Sequence, residues 1–90
     1  MTKPRPKQKG RSKGEAVRRV LGAQVRAFRR ARGWSQEDLA DRASLHVTYL
    51  SAVERGHRNP TLVVITALAT ALGVSPAELL QPRAREVPRE

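Results

Sequence analysis

The ninety-residue chain has no cysteine, two histidines, three aromatic residues and only eight acidic residues, and each scarcity removes a class of protein. Without cysteine there is no disulfide framework and no thiolate zinc site. His46 and His57 lie in no metal-ligand or triad spacing, and no glycine-rich phosphate loop is present. No apolar run approaches the roughly 20 residues that cross a bilayer. The amino terminus MTKPRPKQKGRSKG is basic, but no apolar segment follows it, so it does not read as a secretory signal. The expectation is one small soluble domain in the cytoplasm. It should have no membrane partner, metal, cofactor, small-molecule ligand or enzymatic activity.

What is abundant is positive charge, and it is unevenly placed. Residues 1–32 hold twelve Lys/Arg against Glu15 alone, whereas residues 33–82 hold three Arg against five acids. Between Arg58 and Glu78 there is no charged side chain at all. A cationic arm and first helix joined to a nearly neutral remainder suit a polyanionic partner approached electrostatically.

Residues 1–14 alternate Lys/Arg with Pro, Gly, Gln and Ser and hold nothing to bury after Met1, which predicts a disordered basic tail. From Ala16 the pattern becomes helical: Val17, Leu21, Val25 and Phe28 share one face, with arginines on the others. Gly33 ends this helix. Ser35 opens a second, because Ser35 and Asp38 form a capping-box pair and Glu37 and Asp38 favour the positive end of the dipole. Leu39, Ala40 and Ala43 face inward, and Ala43, Ser44 and Leu45 make a tight turn. A third helix follows from about His46 to Arg55, with Leu50 and Val53 inward.

Thr61 caps a fourth helix that Gly73 ends, and Leu62, Ile65, Leu68, Ala69 and Leu72 are its expected core face. Ser75, Pro76 and Glu78 start a fifth that Pro82 stops. No segment alternates with period two, so the class is all-α, a folded domain over residues 15–82 and a short tail at 83–90. Two helices joined by a three-residue turn, the second exposing small and hydroxylated groups, form a helix-turn-helix whose second helix can enter a major groove. Such a helix needs few charges, because its side chains match base edges.

The stretch LGAQVRAFRRARGWSQEDLADRASLHVTYLSAVERGHRNPTLVVITALATALGVSPAELL, about 60 residues, resembles the Cro/C1-type helix-turn-helix domain of phage repressors. It also resembles the wider xenobiotic-response-element family of bacterial regulators. The resemblance is carried, in order and spacing, by Arg29, Gly33, Ser35-Gln36, Leu39-Ala40, Tyr49-Leu50-Ser51, Glu54-Arg55-Gly56, Arg58-Asn59-Pro60 and Ala71-Leu72-Gly73-Val74. YLSAVERGHRNPTL is most similar to small restriction-modification controller proteins.

The resemblance implies a compact five-helix, lambda repressor-like domain, bacterial or phage-encoded and associated with the nucleoid. It implies a transcriptional regulator binding double-stranded DNA as a homodimer, with helix 3 in the major groove. Residue by residue, Gln36 matches a phosphate-binding glutamine, and His46, Val47, Thr48, Ser51 and Ala52 match groove-facing positions. Tyr49 matches a tyrosine that contacts DNA or packs on helix 2. Arg55, Arg58 and Asn59 match backbone contacts, with His57 the weaker neighbour. Arg29 and Glu54 match a partly buried ion pair of structural role.

Three positions depart from the family pattern. Ser44 stands where the turn usually has glycine, His46 where helix 3 usually has a Ser or Thr cap, and Val47 where a polar side chain is common. These shift part of the expected specificity to DNA shape. Val63, Val64, Ala67 and Ala71, with Leu80, are left as an apolar second face and form the expected dimer surface. The alternative reading is a DNA-binding antitoxin whose tail covers a protein partner, but neither tail carries apolar anchors for that.

Overall fold

The computed structural model describes residues 13–82, and five helices account for most of them: α1 Lys13–Ala31, α2 Gln36–Ala43, α3 Val47–Glu54, α4 Leu62–Leu72 and α5 Pro76–Leu79. Among the described residues there is no strand. The basic arm expected at 1–14 and the tail expected at 83–90 lie outside the described residues, apart from Lys13 and Gly14, which already belong to α1.

Each helix end has a local cause. Ser35 accepts a hydrogen bond from the Asp38 N–H, and the Asp38 carboxylate accepts one from the Ser35 N–H, a reciprocal capping box. Those bonds, the backbone one first and the hydroxyl second, hold the Asp38 carboxyl below its usual pKa. Thr61 caps α4 through the Val64 N–H, and Ser75 and Glu78 repeat the capping box at α5. Gly73 closes α4 in the left-handed region at φ 75°. The carbonyl of Leu72 accepts two further bonds from Arg32, from Nε at 2.9 Å and Nη2 at 2.5 Å. Arg32, at the end of α1, therefore caps α4 rather than its own helix.

The core is a single cluster drawn from all five helices. Leu39, Leu50, Leu68, Leu72, Leu79, Val25 and Val53 are fully buried, and Leu21, Ala40, Ala43, Ile65 and Ala69 complete it. α1 packs on α3 and α5, α2 on α3 and α4, and α4 on α5. Burying a leucine or valine contributes roughly 1.5–3 kcal/mol, so seven such side chains dominate the folding free energy of so small a domain. The tightest approach is at Gly22, where a Cβ would stand 2.5 Å from the carbonyl oxygens of both Val53 and Glu54. Only glycine lets α1 approach the end of α3 this closely.

Four side chains sit differently from the helical-face reading. Val17 is 53% exposed: Arg18 turns toward the protein instead and donates from Nε to the Gly56 carbonyl at 3.3 Å. Leu62 is 78% exposed, because the buried residue at that end of α4 is Pro60. Val64 and Ala71, expected on the outer face of α4, are half-buried against the core. In α1 the buried face also admits Gln24, whose Nε2 donates to the Glu78 carbonyl at 2.8 Å and ties α1 to α5.

Candidate nucleic-acid interface

α2 and α3 are joined by residues 44–46. Ser44 adopts φ 59°, ψ 46°, a left-handed conformation that costs a non-glycine residue roughly 1–2 kcal/mol. The turn is held by the Leu45 N–H on the Ala40 carbonyl at 2.8 Å and the Ser44 N–H on the Asp41 carbonyl at 3.2 Å. Leu45 packs against the core, anchoring the turn from below.

His46 is the N-cap of α3 by backbone geometry, yet its side chain makes no capping bond. Serine or threonine side chains cap α2, α4 and α5, so α3 is the exception among the four helices whose caps are described. His46 and Thr48 are exposed, and Ser51 and Ala52 are half-exposed. Val47 is half-buried and packs against the core cluster, which leaves only part of it for an outside contact. Tyr49 is also half-buried against the core, with the Arg58 guanidinium 5.5 Å from its ring centroid.

Behind this surface lies a polar network. Arg29 donates from Nε to Glu54 Oε2 at 2.7 Å, from Nη2 to Glu54 Oε1 at 2.9 Å and from Nη1 to the Trp34 carbonyl at 2.8 Å. The side chains of the pair are 10% and 3% exposed, so loss of either partner strands a poorly solvated charge, a change that typically costs about 3–5 kcal/mol. The bonds to Glu54 raise the Arg29 pKa above its already high ordinary value. Gln36 joins the network, its Nε2 donating to Glu54 Oε1 at 2.9 Å. One N–H of the Gln36 amide is thereby committed to the ion pair, which the sequence alone did not reveal.

Two further contacts escaped the sequence reading. Arg55 donates from Nη1 to Ser51 Oγ at 2.6 Å, an i, i+4 bond that engages a hydroxyl expected to face the groove. Trp34 lies near two guanidinium groups, Arg42 at 4.2 Å and Arg32 at 5.6 Å from its ring centroid. The i, i+4 spacing could have suggested the first; no sequence signal marked the second. Arg55, His57, Arg58 and Asn59 are all exposed at the end of α3 and in the following loop. Gln36, His46, Thr48, Ser51, Ala52, Arg55, Arg58 and Asn59 thus fall on α2, α3 and the segments bounding them, whereas Arg29 and Glu54 lie beneath.

Residues 25–79 match the model of a helix-turn-helix family, HTH_3, and so include every element from the middle of α1 to α5. The chain belongs to this family. It is the XRE, or Cro/C1, type, and its members are DNA-binding transcriptional regulators rather than enzymes. Among similar proteins is the HTH-type transcriptional regulator y4dJ of Sinorhizobium fredii, 42% identical over 73% of this chain and 86% of that protein. The crystal structure of the restriction-modification controller protein C.AhdI from Aeromonas hydrophila is 47% identical, with a TM-score of 0.69, over 71% of this chain and 97% of that one. The biofilm master regulator SinR, solved in complex with DNA, is 31% identical with a TM-score of 0.65, over 68% of this chain and 98% of that one. Among the described residues no group of acidic or histidine side chains could hold a metal ion, and no helix is long and apolar enough to cross a membrane.

Proposed function

We propose that this DNA-binding regulator recognises a specific double-stranded operator as a homodimer, each protomer laying α3 in the major groove. The observation that carries the reading is the state of α3: its first turn has no side-chain cap, and its outer face offers His46 and Thr48 to solvent. Backbone N–H groups left open at a helix start attract phosphate, and a threonine hydroxyl can donate to or accept from a base edge. Val47, Ser51 and Ala52 supply shape and methyl contact, and the Gln36 amide reaches phosphate from the start of α2. Tyr49, Arg55, Arg58 and Asn59 border the reading helix and position it. The protein works in the cytoplasm, on the nucleoid.

The second protomer docks on α4 and α5. Val63 is 77% exposed beside the exposed Leu62, and these two with Thr66 and Ala67 line an open, mostly apolar depression of about 370 Å³. Leu80, 41% exposed, extends the apolar surface at the end of α5. Val64 and Ala71 contribute their outer edges only, since both also pack on the core.

Selection from a random-duplex library followed by footprinting tests the first part. One preferred sequence should emerge, with half-site centres spaced near 10 bp or a multiple of it. Enrichment of no sequence would reject it. Sedimentation at micromolar concentration tests the second part: the chain should run as a dimer and Val63→Glu as a monomer with weakened operator binding. A monomer that nevertheless binds the operator tightly would reject the dimer.

A further inference from the structure

The charge on α1 is arranged as well as abundant. Arg19, Arg26 and Arg30 recur with helical spacing along one stripe, and the alanines between them, Ala23 and Ala27, form the floor of a groove of about 440 Å³ whose far wall is Glu54 and Arg55. The stripe runs about 16 Å along the helix axis. Glu54, the acid in the groove wall, is already committed to Arg29 and Gln36, so it does not neutralise these arginines. A second depression of about 540 Å³ adjoins it at Arg19 and Arg55 and is lined further by Arg18, Gly56, His57 and one acid, Glu15.

We propose that this arginine groove is a second contact track for duplex DNA, holding the sugar-phosphate backbone that flanks the site read by α3. The proposal rests on the DNA-reading role of α3 given above. Continuity places DNA here: Arg55 lines the groove and bonds Ser51 on α3, and Glu54 lines it and bonds Gln36. The groove has an alanine floor and no aromatic side chain, which suits a backbone rather than stacked single-stranded bases or an apolar peptide anchor. The stripe is held against the end of the recognition helix by Arg18, which donates to the Gly56 carbonyl, and by Arg19, which packs on Gly56.

The test compares the full chain with Arg19→Gln/Arg26→Gln/Arg30→Gln and with the charge-keeping Arg19→Lys/Arg26→Lys/Arg30→Lys. All three are measured on a duplex that ends with the base pairs whose identity is selected and on the same duplex extended by about 10 bp of unrelated sequence on each side. The natural chain should bind the extended duplex about tenfold or more tighter than the short one, and the glutamine variant should bind both alike. With three arginines lost from each of two protomers, the slope of log affinity against log salt on the extended duplex should become shallower by up to about 5 in the glutamine variant. The lysine variant should keep most of the length effect, and the ratio of preferred to scrambled affinity should be unchanged throughout. A glutamine variant that retains the length effect and the slope overturns the groove proposal while leaving α3 readout intact. Absence of any preferred sequence for the natural chain instead overturns the α3 reading.

Discussion

α1 and α4 are the two longest helices and both give one face to the same core, yet they turn opposite chemistry outward. α1 carries five arginines, while α4 has no ionisable side chain and leaves Leu62 and Val63 largely exposed. Burial sets the inner face of a helix and water tolerates arginine on any outer face, so an apolar outer face is the one that a partner surface would cover. In the proposed function the pair separates two tasks in one small domain: α1 is the face offered to a polyanion and α4 the face offered to a second copy.

The largest effect that can sharpen this contrast lies within α4. Leu68→Ala removes a fully buried side chain and should destabilise the domain by about 2–5 kcal/mol in urea unfolding. Leu62→Ala, six residues earlier on the same helix, should change monomer stability by less than about 0.5 kcal/mol and weaken self-association instead. Equal losses at the two positions would mean that the faces of α4 are not divided as described.

Next in size is Gly22 on the inner face of α1. In an exposed helix position Gly→Ala would stabilise by about 1 kcal/mol. Here a Cβ would strike two carbonyl oxygens at 2.5 Å, so Gly22→Ala should instead destabilise by about 1–3 kcal/mol, read from its chemical unfolding midpoint. A gain in stability would show that α1 and α3 are farther apart.

The order of helices, their caps and most of the core were legible because each has a local sign: Ser35, Thr61 and Ser75 as caps, Gly73 as a stop, and apolar spacing for Leu39, Leu50, Val53 and Leu68. What was not legible depends on where one helix ends against another. Leu62 keeps helical phase with Ile65 yet is exposed, while Pro60 just before the helix is buried. Val17 keeps phase with Leu21 yet is exposed, because at this end of α1 it is Arg18 and Arg19 that meet Gly56. The Gln36 bond to Glu54 and the Arg32 bonds to Leu72 span 18 and 40 residues, distances over which spacing carries no signal. The candidate site was located by family motif and by the charge-poor helix, whereas the arginine stripe was visible only as charge until its floor and wall could be placed.

The smallest stability effect sits in the turn between α2 and α3. Ser44 holds a left-handed conformation that glycine adopts freely, so Ser44→Gly should raise stability by up to about 1 kcal/mol in thermal or urea unfolding. An unchanged or lowered stability would mean that the serine side chain contributes more there than its strain costs.

The most direct measurement compares Thr48→Ala, on α3, with Gln36→Ala, at the start of α2, each on preferred and scrambled duplexes. Thr48→Ala should cost about 1–3 kcal/mol on the preferred duplex, little on the scrambled one, and relax the preference at one base pair of each half-site. Gln36→Ala should weaken both duplexes alike, as removal of a phosphate contact does. If Thr48→Ala instead lowers affinity equally for both, that side chain positions rather than specifies, and α3 is not the helix that reads the sequence.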